Sequence, residues 1–336
     1  MKIADRFKNF KGYDCHTNDK GIHLDKNESP FDLQEEMKDE ILEEIRDIPL
    51  NRYPPLRPEK LEKKLAEYVG FSEDNVCIGN GSDDIIPMIF ELFDADQVII
   101  STPTFSMYSF YAKKRGLKIN KVPLNENFEI PPFFDSIKKF SIVCICSPNS
   151  PTGNVQPREK IIKALESDNI VILDEAYGEF AEETSIDLID KYDNLIVLRT
   201  LSKAFGLASL RVGYAVGSSE IIEYLNRIRS PFSQDMLSIK IAKKVLDDTG
   251  SIKENVKKII DERERIFKRF KQFAYPSETN FILMDLDAYE YLNERGIHVR
   301  KMSGRLEGMI RVTVGKKEEN DELISALDDF VEGSIS

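Results

Sequence analysis

The feature of this chain that most constrains its fold is a regular alternation of short apolar runs with amphipathic segments, from about residue 30 to residue 245. The runs are rich in Val and Ile and continuously apolar, which indicates strands that are buried on both faces of a sheet. Amphipathic helices between the strands act as crossovers, so the pattern predicts an α/β fold with a mainly parallel seven-stranded sheet between helices. The predicted strands are residues 75–78, 97–100, 117–122, 142–146, 170–173, 195–198 and 212–216. The predicted helices are residues 84–93, 106–115, 158–166 and 219–229.

The pattern changes after Gly250. A long charged helix, three strands and a final helix are predicted there, over residues 252–273, 280–284, 299–302, 309–314 and 317–331. Long helices on one side of a few strands are typical of a smaller α+β domain. We therefore predict a large α/β domain over residues 29–247, and an N-terminal arm plus small domain formed by residues 1–28 and 248–336.

Charge and hydropathy exclude several classes of protein. The 336 residues include 47 Lys and Arg against 59 Asp and Glu, a net charge of −12, so the overall field repels nucleic acids. No run approaches the ~18 apolar residues of a membrane-spanning helix, and residues 1–6 lack the apolar stretch of a signal peptide. We expect a cytoplasmic protein without nucleic-acid or membrane partners.

The cysteines and histidines do not have the spacing of a metal site. None of the 4 cysteines belongs to a C-x-x-C pair, and the 3 histidines are scattered. Cys144 and Cys146 flank Ile145, and the two-residue period of a strand puts both thiols on one face of the predicted sheet. Core packing is therefore the expected role of this pair, and redox chemistry is the alternative.

Four polar clusters each follow a predicted strand. In an open parallel sheet the carboxyl ends of the strands form one ligand-binding crevice, where such clusters converge. The first, Gly-Asn-Gly-Ser-Asp-Asp at 79–84, is a turn that opens a helix, and free amides there favour a phosphate; a plain capped turn is the alternative. The second, Ser-Pro-Asn-Ser-Pro-Thr-Gly at 147–153, is a rigid loop that carries polar side chains.

The third and fourth clusters supply ionisable groups. Asp174 opens Asp-Glu-Ala-Tyr at 174–177, after a buried strand where a carboxylate is costly unless it is paired; an ion pair or a helix cap is the alternative role. Lys203 follows another strand, with hydroxyl residues before it and Arg211 after it. This arrangement suits an amine nucleophile beside an anion site. The alternative is a solvated lysine, which is the usual case on a loop. An amine, a carboxylate, a phenol and an anion cradle are what pyridoxal phosphate requires, for imine formation, ring-nitrogen protonation, a bond to the ring oxygen and phosphate anchorage.

The order and spacing of these motifs resemble those of the fold-type I aminotransferases over most of the chain. The matching motifs are Asn-Ser-Pro-Thr-Gly at 149–153, Asp-Glu-Ala-Tyr at 174–177, Ser-Lys-Ala-Phe-Gly at 202–206 and Arg-Val-Gly-Tyr at 211–214. Within that group the chain most resembles the histidinol-phosphate aminotransferases. The further matches are Leu-Asp-Lys-Asn-Glu-Ser-Pro at 24–30, Asn-Arg-Tyr-Pro at 51–54, Ile-Arg-Val-Thr-Val-Gly at 310–315 and Glu-Glu-Asn-Asp at 318–321.

The resemblance implies a role for each matching residue. Lys203 would carry the cofactor as an imine, Asp174 would pair with the pyridinium nitrogen, and Tyr177 would bond the ring oxygen. The cofactor phosphate would be held by the amides of Ser82 and Asp83 and by Thr200, Ser202 and Arg211, and the cofactor ring by Phe105 and Ser150. Tyr53 would reach the cofactor phosphate of a neighbouring subunit, which implies a homodimer. The substrate side would be lined by Tyr13, Asn27, Arg300 and Arg311.

Two positions depart from the family pattern. The family usually has Asn directly before Pro-Thr-Gly, bonded to the ring oxygen, whereas this chain has Ser150 there and Asn149 one residue earlier. The shorter hydroxyl is also able to donate, directly or through water, and which of the two residues takes the place of the usual contact is open. Phe105 stands where the family often has Tyr, and stacking needs only the ring face.

The implied reaction is transfer of an amino group between histidinol phosphate and 2-oxoglutarate, a step of histidine biosynthesis. A broader aromatic or branched-chain aminotransferase is one alternative, since it would share the cofactor residues. Threonine-phosphate decarboxylase is another, since it also recognises a phosphate. A cofactor-binding regulatory protein is the non-enzyme alternative, but it usually needs a nucleic-acid module, for which length and charge leave no room.

Overall fold

The computed structural model of the protein describes residues 2–8, 10, 12, 20–137 and 140–335. The strands β1 to β11 are Ile22–Leu24, Val76–Asn80, Gln97–Thr102, Lys118–Pro123, Ser141–Cys146, Ile170–Asp174, Leu195–Thr200, Val212–Gly217, Phe281–Met284, Ile297–Lys301 and Ile310–Thr313. The helices α1 to α10 are Glu35–Arg46, Glu59–Val69, Ser82–Leu92, Met107–Arg115, Arg158–Leu165, Ser219–Ile228, Met236–Val245, Gly250–Arg269, Tyr289–Glu294 and Lys317–Ile335.

The larger sheet confirms the predicted α/β fold. In the described part of the chain it has seven strands in the order β2-β8-β7-β6-β5-β3-β4, and each predicted strand lies within about two residues of an observed one. Strand β8 runs antiparallel to both of its neighbours, and the remaining strands are parallel to one another. A loop without a crossover helix joins β7 to β8, and such a short connection permits only the antiparallel arrangement.

The core lies on both faces of this sheet, as continuous apolar strands predict. Along β5, Val143 and Ile145 pack into one apolar cluster, while Ile142, Cys144 and Cys146 pack into the cluster on the opposite face. The two thiols therefore share one buried face, which confirms the predicted core position of Cys144 and Cys146.

The smaller sheet has the order β1-β10-β11-β9 in the described residues, and β1 joins it by parallel pairing with β10. One face of this sheet packs on α8 and α10 through residues such as Ile282 and Val312. The other face turns Phe281 and Leu283 towards the core of the large sheet. The sequence pattern does not predict β1, because three residues are too few to show the two-residue period of a strand. The domain boundaries at 29 and 247 stay a prediction.

Helix α8 ends at Arg269, four residues before the predicted end, because the chain turns at Phe270 and buries that ring with Ala274 in the small-domain core. Helices α1, α2, α7 and α9 were not among the predicted segments. Among the described residues, no helix combines the length and the apolar character needed to cross a membrane.

Candidate active site

The four polar clusters lie where the sequence predicts them, after β2, β5, β6 and β7. These strands are parallel, so their carboxyl ends meet at one edge of the sheet. Lys203 lies in the loop between β7 and β8, Asp174 is the last residue of β6, and Ser150 follows β5. This edge therefore gathers the predicted nucleophile, carboxylate and ring-oxygen ligand.

Lys203 presents a partly buried amine. Its Nζ donates a hydrogen bond to the carbonyl oxygen of Lys26 at 3.1 Å and lies 6.0 Å from the centre of the Tyr177 ring. Burial, together with the positive charge of Arg311, lowers the pKa of Lys203 from 10.5 to about 8. About a tenth of the amine is therefore neutral at pH 7, far more than for an ordinary lysine, and the neutral form is the one that a nucleophile or a proton acceptor requires.

Asp174 is a buried carboxylate, 3% exposed. Its Oδ2 accepts a hydrogen bond from the phenol of Tyr108 at 2.7 Å, and its Oδ1 accepts one from the amide of Ala176 at 3.1 Å. Burial raises the pKa of Asp174 to about 6, and the bonds from Tyr108 and Ala176 oppose that rise. The group is thus mainly ionised at pH 7 and able to accept a further hydrogen bond from a cation.

Tyr177, the predicted ring-oxygen donor, is hydrogen-bonded to Asn27, a predicted substrate residue. Its phenol oxygen accepts a hydrogen bond from Asn27 Nδ2 at 2.8 Å, which leaves the phenol proton to be donated. Burial raises the pKa of Tyr177, so this proton is retained at neutral pH, and the nearby Ser150 hydroxyl opposes that rise. The backbone of Asn27 is fixed in turn by Thr313 and Asn280, at 3.0 Å each.

Ser150, rather than Asn149, faces this network. The Asn149 side chain donates to Pro103 O at 2.9 Å and to Thr152 Oγ1 at 2.7 Å, and accepts from Thr104 Oγ1 at 2.7 Å. Its amide is thus occupied in holding the loop. The Ser150 hydroxyl instead accepts a hydrogen bond from Arg311 Nη1 at 3.3 Å.

The predicted substrate arginines are neighbours. Arg300 and Arg311 stand directly opposite each other on antiparallel β10 and β11, so their side chains share a face of the small sheet. Val299 and Val312 point to the helices behind, so this shared face is the one turned towards the large sheet. Arg311 also donates to the carbonyl of Asp25 at 2.7 Å. Like charges directly opposite are destabilising, and an anion between them would offset that repulsion.

The turn after β2, the predicted anion cradle, leads directly into α3. Gly81 precedes α3 with φ +77°, and within the described residues no side chain caps the first amides of the helix, those of Ser82 and Asp83. A Cβ on Gly213 would lie 2.5 Å from the Ser82 nitrogen, so β8 approaches this turn only because that residue is glycine. Arg211 Nη2 pairs with Asp83 Oδ2 at 3.2 Å beside the turn, where both side chains are partly exposed.

The remaining predicted residues have different surroundings. Thr200 and Ser202 are buried next to the cradle, where Thr200 Oγ1 accepts a hydrogen bond from the Ser202 amide at 3.1 Å. The Phe105 ring packs edge-on against Tyr108 at 5.5 Å. Tyr53 is 80% exposed and stacks on Phe232 at 4.8 Å. Tyr13 lies outside the described residues, and no potential metal cluster is found within those described.

Three contacts of the site were missed by sequence reasoning. Two are the backbone carbonyls of Asp25 and Lys26, which hold Arg311 and Lys203, and no side-chain pattern reports a carbonyl. The third is Tyr108 in the first turn of α4, which contacts Asp174. It follows Phe105 by three residues, and this spacing across the helix start was a usable signal that the two rings lie close together.

Comparison with known proteins decides the family. The sequence model described as "Aminotransferase class I and II" matches residues 19–327. The chain belongs to this family. A class I and II aminotransferase relative, the histidinol-phosphate aminotransferase of Pyrococcus furiosus, is 47% identical over 332 residues that cover 98% of each chain.

Solved structures show how widely this aminotransferase fold is shared. The histidinol-phosphate aminotransferase from Sinorhizobium meliloti, in complex with pyridoxal-5'-phosphate, superposes with a TM-score of 0.83 at 24% identity, covering 94% of this chain and 92% of that one. The L-threonine-O-3-phosphate decarboxylase from Porphyromonas gingivalis reaches a TM-score of 0.81 at 22% identity, covering 93% and 99%. Because both enzymes share the architecture, fold alone does not separate the two reactions.

Proposed function

We propose that this chain is a pyridoxal-phosphate-dependent aminotransferase that exchanges an amino group between L-histidinol phosphate and 2-oxoglutarate in histidine biosynthesis. The observation that carries this proposal is the 47% identity to the Pyrococcus furiosus histidinol-phosphate aminotransferase over nearly the full length of both chains. The cytoplasmic location stays a prediction.

The groups at the sheet edge fit pyridoxal phosphate. The uncapped amides at the start of α3, beside Arg211, suit the phosphate. A partly buried amine of lowered pKa at Lys203 suits the aldehyde, and a buried anionic Asp174 suits a protonated ring nitrogen. Tyr177 has a phenol proton for the ring oxygen.

When bound, pyridoxal phosphate supplies an aldehyde that condenses with amines and a ring that accepts electrons from the substrate α-carbon. Lys203 would hold the cofactor through its amine, and the neutral amine, once released, would take the proton from the substrate α-carbon. Positioned proton transfer of this kind contributes roughly 10²- to 10⁴-fold to the rate. The lowered pKa of Lys203 is what makes the amine available for this transfer at neutral pH.

Asp174 and Tyr177 set the charge around the ring. Ionised Asp174 keeps the ring nitrogen protonated, which favours the flow of electrons into the ring. Tyr177, fixed by Asn27, orients the ring oxygen, and the Ser150 hydroxyl connects this side to Arg311. Through these contacts, Arg311, which would bind the substrate anion, is connected to Tyr177, which would bind the cofactor ring.

Arg311 and Arg300 offer planar donors for the substrate anion. Histidinol phosphate carries a phosphate ester in place of the α-carboxylate of glutamate, and a guanidinium group can donate paired hydrogen bonds to either anion. The same pair therefore serves both half-reactions. On a chain of net charge −12, these side chains give the local positive charge that an anionic substrate requires.

Tyr53 suggests that the working enzyme is a homodimer. Tyr53 is exposed together with three other large apolar side chains, Leu50 and Leu56 at nearby positions of the chain and Phe232 in contact with its ring, and such a patch is typical of an interaction surface. A second copy of the chain is the occupant we propose, with Tyr53 reaching the partner's cofactor phosphate. The stacking of Tyr53 on Phe232 would hold the phenol in place for that contact.

A mixing experiment tests the shared site. The variants Tyr53→Ala and Lys203→Ala are both expected to be weakly active alone. After mixing and exchange, half of the dimers would be hybrids with one intact site, so about a quarter of the wild-type activity should return. Sedimentation of the wild type as a monomer, or no recovery on mixing, would contradict the dimer proposal.

The substrate is tested by a comparison of amino donors with 2-oxoglutarate as acceptor. We expect histidinol phosphate to have the highest kcat/KM, well above phenylalanine and aspartate. A strong preference for either amino acid would overturn the proposal. Release of CO₂ from threonine phosphate without a keto acid would indicate the decarboxylase reaction instead.

A further inference from the structure

Asp174 is a buried charge without a salt-bridge partner. Within residues 20–137 and 140–335, no Lys or Arg nitrogen lies within salt-bridge distance of its carboxylate. A buried carboxylate in this position is expensive unless donors replace its lost water. Its two oxygens receive one donor each, the phenol of Tyr108 and the amide of Ala176.

Tyr108 is built into this contact. It lies on α4, is 0% exposed, and packs edge-on against Phe105, with its hydroxyl 2.7 Å from Asp174 Oδ2. Burial and the negative charge of Asp174 raise the pKa of Tyr108 well above its ordinary value, so the phenol remains a donor at every pH at which the protein works. Phenylalanine would fill nearly the same space, so packing alone gives no reason for the hydroxyl.

We infer that Tyr108 is a positioning residue for Asp174, whose phenol keeps the carboxylate ionised and turned so that it can bind the ring nitrogen of the cofactor. This inference rests on the proposed function, because it assigns that ring nitrogen to Asp174. Tyr108 acts on the reaction only through the carboxylate.

The test measures binding of pyridoxamine phosphate to the apoenzyme, because that ligand forms no covalent bond with Lys203. In Tyr108→Phe the carboxylate loses a donor, and the pKa of Asp174 should rise from about 6 by roughly one to two units, the range for loss of a hydrogen bond to a charged group. The ionised fraction at pH 7 then falls, and we expect the Kd to rise roughly 2- to 15-fold. As the pH is lowered, binding to Tyr108→Phe should also begin to weaken at a higher pH than binding to the wild type, because its Asp174 carboxylate is protonated at a higher pH. The ligand's own groups titrate equally in both proteins, so the difference between the two curves reports Asp174.

Tyr214→Phe is the matched control. Tyr214 is also fully buried, and its hydroxyl has no hydrogen-bond partner within the described residues. Removal of that oxygen should leave the Kd and its pH dependence unchanged. If Tyr108→Phe behaves like this control, the inference is overturned.

Asp174→Asn distinguishes a failure of the role inferred for Tyr108 from a failure of the role proposed for Asp174. If Asp174→Asn leaves the Kd unchanged, the assignment of Asp174 in the proposed function fails. If it weakens binding, the double variant Tyr108→Phe/Asp174→Asn should bind no more weakly than Asp174→Asn alone, since Tyr108 then has no charge to support. Additive losses would show that Tyr108 acts by another route. The double variant also gives a result if the single Tyr108→Phe protein folds poorly, because it carries no unsupported charge.

Discussion

Replacement of Arg311 by Gln is expected to change two separate properties of the enzyme. It removes a planar donor for the substrate anion, and loss of a hydrogen bond to a charged group costs about 1.5–3 kcal/mol, so kcat/KM for histidinol phosphate should fall roughly 10- to 150-fold. It also removes the positive charge that, after burial, most lowers the pKa of Lys203. A unit charge several ångströms away, at an effective dielectric near 20, interacts by ~2 kcal/mol, and one pKa unit is about 1.4 kcal/mol. The pKa of Lys203 should therefore rise by about one and a half units from its value of about 8.

The pKa shift is measured on the apoenzyme by competitive acylation of Lys203 as a function of pH, with peptide mass spectrometry as the readout. The pKa should rise because removal of the positive charge of Arg311 makes the ammonium form of Lys203 more stable. The neutral fraction at pH 7 then falls, and acylation slows. Arg300→Gln is the control, because Arg300 shares the proposed substrate face but is not among the main charges that shift the pKa of Lys203. It should raise KM without moving the labelling curve. An unchanged curve in Arg311→Gln, or an equal shift in Arg300→Gln, would refute this reasoning.

Three further changes probe other parts of the structure. Ser150→Ala should raise the KM for the phosphate substrate several-fold, because Arg311 loses a hydrogen-bond partner. A pH titration of the holoenzyme absorbance measures any effect on the ring oxygen. If neither the KM nor this titration changes, the proposed role of the Ser150–Arg311 contact is wrong. Arg199→Met leaves two buried carboxylates unpaired and should lower the free energy of unfolding by about 3–5 kcal/mol in urea, whereas Arg158→Met, at an exposed pair, should cost under about 1 kcal/mol. Gly213→Ala places a methyl group 2.5 Å from the Ser82 nitrogen and should weaken cofactor binding in equilibrium dialysis; normal affinity would show that the cradle can shift.

Much of the large domain could be predicted because its strands are continuously apolar and separated by amphipathic helices. The face assignment of β5 followed from alternation alone, and Cys144 and Cys146 lie as expected. The position of Lys203, Asp174 and Ser150 at one sheet edge followed from strand direction, since parallel strands end on the same side.

The remainder depends on tertiary contacts that no local pattern carries. Strand β1 has only three residues, and its pairing with β10 joins positions about 275 residues apart in the chain. Asn149 and Ser150 are adjacent polar residues, and only the loop geometry decides that Asn149 turns back onto Thr152 while Ser150 meets Arg311. The bond from Tyr108 to Asp174 joins two elements whose relative placement depends on the packed core.

The central claim is that Lys203 is the amine that carries the cofactor. Reduction of the purified holoenzyme with borohydride fixes the cofactor to its lysine, and peptide mapping then locates the modified residue. We predict one pyridoxyl group per chain, on the peptide that contains Lys203, and none in Lys203→Ala. A pyridoxyl group on another lysine, or none at all, would contradict the account.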